Sequence, residues 1–239
     1  MKILLPSYRS ISWMVKAYVH MHEKYWGAPV VLLAEEDYSD GHFEFACPPW
    51  KEDVSWIDGK IPGEIPGWHF TDVLIWYLRQ IEDEHVIVML ADYLLTAPVD
   101  TVLIGQLQEY MELHDEVMRG HIDYGGGYRS GQMTDKYKDI EIWEGEFLPS
   151  SLTPAIWNSQ LLHDLMIPRD TAQGMESKGR GIYQKMVDEK GCRSIAAKPG
   201  MVEYINCIRG RDMSSMVMTH AVYDEVQHLL DIPVHIFIE

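Results

Sequence analysis

The chain has 239 residues, of which 46% are hydrophobic and 24% charged, and its formal net charge is −17. That length suits one α/β domain with a substantial buried core. The charge speaks against a broad phosphodiester-binding surface, which depends on clustered Lys and Arg. It leaves room for an anionic small molecule held by a local basic patch or a bound cation. Cys47, Cys192 and Cys207 are odd in number and far apart, with no Cys-x-x-Cys. This argues against a disulfide framework or a zinc knuckle and favours a reducing compartment. The opening Met-Lys-Ile-Leu-Leu-Pro is too short an apolar run for a signal peptide, and no segment approaches bilayer length. The expectation is a cytoplasmic chain without a transmembrane segment.

Residues 2–5 read as a first strand, closed by Pro6-Ser7-Tyr8-Arg9. Ser10 or Ser12 caps a helix running to about Trp26, and residues 29–34 form a second buried strand ending in Glu35-Glu36-Asp37. This β-α-β order predicts a parallel sheet. Residues 41–67 hold Pro, Gly and several aromatics, with one short strand expected at 54–57. Phe70, Val73, Leu74, Tyr77, Leu78 and Ile81 then recur at helical spacing. The helix delivers the chain into an apolar run, Val86 to Leu90, of the kind buried on both faces of a parallel sheet. Asp92 stands just past the carboxyl end of that strand, the edge where open α/β sheets bind ligands. Capping a turn is the structural alternative for the same residue.

A helix is expected over residues 98–113 and a strand over 116–122. Gly125-Gly126-Gly127 with Gly131 lacks the Gly-Lys-Ser/Thr ending of a phosphate-binding loop, and a hairpin or loop is expected there. Residues 150–154 lead into a helix carrying Trp157, Leu161, Leu162 and Leu165 on one face. A second helix is expected over 175–190, strands over 193–197 and 201–204, and a last helix over 219–230.

The chain has no Gly-x-Ser-x-Gly, no His-Glu-x-x-His, no Gly-x-Gly-x-x-Gly after the first strand and no EF-hand loop. The histidines, among them His20, His22, His114, His121, His163, His220, His228 and His235, show no metal-ligand spacing. What remains is acidic residues at strand ends, the arginine-rich turn Arg209-Gly210-Arg211, and Glu176 near the start of a late helix. Carboxylates at that edge suit a hard divalent cation, which prefers oxygen ligands and bridges to phosphates. Arginines suit a diphosphate through bidentate hydrogen bonds. Together they point to a nucleotide-diphosphate ligand.

Lys2-Ile-Leu-Leu-Pro-Ser-Tyr, then Trp68 with its amphipathic helix, then Ile81 through Leu95, resembles the nucleotide-sugar-binding half of glycosyltransferases with the GT-A fold. Leu152-Thr-Pro-Ala-Ile-Trp-Asn-Ser-Gln-Leu-Leu, an acidic residue at Glu176, and Tyr204-Ile-Asn206-Cys-Ile-Arg209-Gly210 resemble the later segments of a bacterial and phage-type branch. The order of the motifs carries the resemblance. It implies a single GT-A-like (Rossmann-like) α/β domain, 1–239, with a mostly parallel central sheet flanked by helices. A nucleotide-sugar-binding half (1–115) would precede an acceptor-side half (116–239).

Carried over position by position, Ser7 and Arg9 line the nucleotide pocket, Glu35 faces the base or ribose, and Tyr93 belongs to the donor-binding set. Asp92 binds the metal, Mn2+ or Mg2+, that holds the donor's diphosphate. Trp157 helps wall the acceptor or sugar site, with a core anchor as its structural alternative. Glu176 is the general base that deprotonates the acceptor hydroxyl, with a simple preference for a helix amino terminus as its alternative. Arg209 and Arg211 steady the diphosphate leaving group. The family has two acidic residues where this chain has Ala91-Asp92; the missing one commonly touches the ribose. The implied activity is transfer of a sugar from a nucleoside-diphosphate donor to a hydroxyl, on a glycan, with inversion. Two other readings stay open. One is a glycosyltransferase-like nucleotide- or glycan-binding protein without catalysis, which Ala91 motivates. The other is a phage sugar transferase acting on modified DNA, against which the acidic charge speaks.

Overall fold

The structure is a computed structural model that describes residues 1–7, 12–48, 69–123, 131–145, 151–207, 215–230 and 235–238. In chain order the elements are β1 (Lys2–Pro6), α1 (Trp13–Tyr25), β2 (Val30–Leu33), β3 (Glu44–Ala46), α2 (Phe70–Leu78), β4 (His85–Val88), β5 (Tyr93–Leu95) and α3 (Thr101–Glu112). After these come β6 (Val117–His121), β7 (Gly131–Tyr137), β8 (Ile140–Gly145), β9 (Ala155–Asn158), α4 (Ser159–Leu165) and α5 (Ala172–Lys190). The last are β10 (Arg193–Lys198), β11 (Tyr204–Asn206), β12 (Ser215–Met218), α6 (His220–Val226) and β13 (His235–Ile238).

Nine strands join in one sheet, ordered β3-β2-β1-β4-β9-β6-β10-β8-β7. β1 pairs in parallel with β2 and β4, and β6 with β10, while β9 runs antiparallel between β4 and β6. The expected α/β fold, a mostly parallel central sheet flanked by helices, is the one found. Its strands form where apolar β-branched runs are buried on both faces, as in Val30–Leu33 and His85–Val88. One face packs against α1, α3 and α6, and the other against α2, α4 and α5. Two antiparallel strands, β5 and β11, form a separate ribbon beside the end of β4.

Several boundaries differ from the expectation. Trp157 lies on β9 and not on a helix: the short apolar run Ala155-Ile156-Trp157 pairs with both neighbours, and length alone does not separate such a run from a helix. The helix begins one residue past Asn158, whose side chain accepts from the Leu161 amide at 3.0 Å and so caps it. α5 starts before Met175, because Thr171 caps it by accepting from Gly174 N–H at 2.9 Å, and it stops at Gly191 in the left-handed conformation. The strand expected over 201–204 is instead Tyr204–Asn206, placed by its pairing with β5. Residues 131–145 form the β7–β8 hairpin, while the preceding glycine triplet and the strand expected at 54–57 fall outside the described residues. The pairing of β12 with β13 and the short edge strand β3 leave no alternating pattern in the sequence.

Candidate active site

The chain reaches one edge of the sheet repeatedly: Ser7 after β1, Glu35 after β2, Asp92 after β4, Asp123 after β6, and Thr153 ahead of the reversed β9. Asp92 is 9% exposed, and its backbone carbonyl accepts from the Cys207 amide at 2.9 Å, so the β5–β11 ribbon grips its main chain. Burial pushes its carboxyl up to about 7, and the nearby charge of Glu176 pushes the same way against a hydrogen bond from Asp92's own amide. Glu176 lies on α5 with its side chain open to solvent, and its Oε1 accepts from the Leu152 amide at 2.8 Å. One carboxylate of the pair is thus buried and the other accessible.

Beneath the pair lies a polar network that sequence reading does not find. Arg119 is fully buried on β6, its guanidinium 4.6 Å from the Trp157 ring, and its Nη2 donates to the Thr153 carbonyl at 3.0 Å and hydroxyl at 2.9 Å. Burial lowers Arg119 to about 10, opposed by the negative charges of Asp123 and Glu176. His121 is held near 4 by burial and by Arg119, with Asp123 3.7 Å away. Tyr204 donates to the other Asp123 oxygen at 2.8 Å and packs against Tyr93 with the rings tilted and 4.9 Å between their centres. The signal in the sequence is Arg119 and His121 at alternate positions of an otherwise apolar strand, with Asp123 two residues further on, so that one side is polar and buried.

Of the residues expected from the sequence, Asp92 and Tyr93 are adjacent in the chain, and Glu176 is near enough that its charge, after burial itself, raises the pKa of both. Ser7 is fully buried, and its hydroxyl meets no hydrogen-bond partner among the described residues. Glu35 is half-buried, with the Tyr38 hydroxyl 3.4 Å away. Trp157 is fully buried against Arg119, the place of a core anchor. Arg9, Arg209 and Arg211 lie outside the described residues. A cleft of about 550 Å³ between α2 and α4, lined by Arg79, Glu84, Asn158 and His163, opens at the opposite end of β4 and holds none of these groups.

Among the described residues no group of three or more His, Cys, Asp or Glu side chains is spaced to hold a metal ion. Asp92 is the carboxylate that could hold a cation at this edge, within electrostatic reach of Glu176. That suits Mg2+-like ions, which are held by one or two carboxylates and completed by substrate phosphates. No helix among the described residues is long and apolar enough to cross a membrane.

No protein-family model matches the chain, and no curated protein matches it. Solved structures do. A mycobacterial protein superposes with a TM-score of 0.50 at 10% identity, covering 88% of this chain and 68% of that one. Glucosyl-3-phosphoglycerate synthase from Mycobacterium tuberculosis, in complex with Mn2+, uridine diphosphate and phosphoglyceric acid, gives a TM-score of 0.49 at 9% identity over 89% of this chain and 71% of that one. S. aureus TarS 1-349 in complex with UDP-GlcNAc gives 0.48 at 14% identity over 95% and 64%. The likeness is one of fold, the helix-flanked α/β sheet shared with the mycobacterial protein.

Proposed function

We propose that the chain is a glycosyltransferase moving a sugar from a nucleoside-diphosphate donor to a hydroxyl of an acceptor, a glycan, with inversion. The observation that supports this reading is the placement of Asp92 beyond β4 at the carboxyl edge of the sheet, within electrostatic reach of Glu176 on α5. Ser7, Glu35 and Tyr93 take the nucleoside side of the donor, and Arg9, Arg209 and Arg211 its diphosphate. Asp92 is the residue that would hold Mn2+ or Mg2+, and a bound cation supplies positive charge to the diphosphate. Glu176 accepts the proton of the acceptor hydroxyl as that oxygen bonds to the anomeric carbon. The bond from that carbon to the diphosphate breaks with its electron pair on the leaving oxygen. The 1–115 half then serves the donor and the 116–239 half the acceptor.

The test is release of nucleoside diphosphate from a panel of donors with Mn2+ and simple glycan acceptors. Transfer by the wild type that is lost in Glu176→Gln supports the reading; no release from any donor rejects it. A second reading, a nucleotide-sugar-binding protein without catalysis, is favoured by Ala91, a fully buried methyl where the resembling family carries an acid. Tight donor binding with no turnover would establish it.

A further inference from the structure

Arg119 is the one guanidinium of the described residues placed at the centre of the sheet with no exposed surface. Burying such a charge is costly unless its hydrogen bonds are well made. Its Nη2 spends two of them on a single residue, taking both the carbonyl and the hydroxyl of Thr153. Thr153 belongs to no helix or strand; it sits in the short segment entering β9. The preceding residue, Leu152, is fully buried and donates its amide to Glu176 Oε1 at 2.8 Å. The Trp157 ring, on β9 directly across from Arg119, packs 4.6 Å from the guanidinium. A continuous set of contacts therefore runs from a rigid central strand through two consecutive residues to the carboxylate on α5.

We propose that Arg119 is a positioning residue for Glu176: by clamping Thr153 it fixes the Leu152 amide, and that amide fixes where the carboxylate meets the acceptor hydroxyl. The role of Glu176 as base rests on the function proposed above; the clamp itself does not. The Thr153 side chain adds a second acceptor to the backbone carbonyl, so the segment is held in orientation as well as in place. A helix-borne carboxylate tied to backbone in this way loses rotamer freedom before the acceptor arrives.

Two measurements on the full chain test the inference. The first is amide hydrogen exchange. In Arg119→Met, which keeps the volume and removes the fork, the Leu152 amide should exchange at least about tenfold faster, as it should in Glu176→Ala, while the amides of β4 keep their protection. Unchanged Leu152 protection in Arg119→Met overturns the clamp, whether or not the protein transfers sugar. The second is transfer kinetics. Arg119→Met should lower kcat about a hundredfold with the donor KM within about twofold, and Arg119→Lys should recover part of the loss. Added to Glu176→Gln, Arg119→Met should cost no more than Glu176→Gln alone, because it acts through that carboxylate. Multiplying losses would show a separate, purely structural effect and overturn the proposal. Should Arg119→Met fail to fold, Thr153→Val removes one acceptor with Arg119 in place, and the same readouts apply with smaller changes in the same direction. A wild type that releases no nucleoside diphosphate would reject the function, and the exchange result would still decide the clamp.

Discussion

The hydroxyl of Tyr204 donates to Asp123 at 2.8 Å, joining the β5–β11 ribbon to the carboxyl end of β6. The carboxylate is 6% exposed, so the bond is made away from bulk water. Removing the donor in Tyr204→Phe leaves a buried acceptor short of a partner and should cost about 1–3 kcal/mol of stability. Urea unfolding measures it; a change within error would mean the bond contributes nothing net.

Asp92 should make the metal-free protein less stable as pH rises. Its folded value of about 7 lies above the ordinary 3.8, so between these the folded state binds the extra proton. Stability contributed by that proton is fully present below about 4 and lost as pH climbs through 7, by an amount on the order of 4 kcal/mol. Asp92→Asn should flatten this slope in a urea series from pH 4 to 8. The same variant should abolish metal-dependent donor binding, and unchanged binding would remove Asp92 from the site.

His121 should act with the opposite sign. Its folded value of about 4 lies below the ordinary 6.5, so the unfolded chain takes up the proton first. The contribution is present above about 6.5 and lost as pH falls toward 4. His121→Gln should therefore steepen the decline of stability with rising pH over that interval. The two variants, measured side by side, should shift the curve in opposite directions.

Glu176→Gln should spare donor binding and lower transfer by roughly 10²–10⁴-fold, the range of a lost general base. Calorimetric titration with nucleoside diphosphate and Mn2+ checks the first half and product release the second. Normal turnover would reject Glu176 as the base.

Gly174 lies in the first turn of α5, and a methyl group there would overlap the carboxylate of Asp170, itself only 5% exposed. Gly174→Ala should destabilise by about 1–3 kcal/mol. Because that turn precedes Glu176 on the same helix, transfer should fall more than donor binding. Equal losses in both would place the effect in folding alone.

Much of this fold is legible in the residue pattern, for a physical reason. Residues 29–34 and 86–90 are apolar on both sides, and a strand so buried leaves a continuous run that a surface strand does not. The helix at 70–78 announces itself by apolar residues recurring at helical spacing, although nearly all of it, Asp72 included, is buried. Trp157 misleads because its spacing to Leu161 and Leu165 is helical, although its pairing partners, Val86 and Arg119, lie far away in sequence. Asp92 stands out as a single charge ending an apolar run. Arg119, by contrast, reads as a flaw in a strand, since its meaning depends on Thr153 arriving on the distant segment that enters β9. The partner of Glu176 is a backbone amide, and every residue but proline has one, so no residue type marks it.

β9 is four residues long and has β4 on one side and β6 on the other. Side chains along a strand alternate between faces, so a slip of one residue would send Trp157 and Ile156 to opposite layers and draw Thr153 away from Arg119. The alignment of this short strand therefore works as a checkpoint in assembly: until it docks in the right frame, the two acidic side chains have no common scaffold. A chain with β9 misaligned could bury nearly as much apolar surface and still present no competent centre.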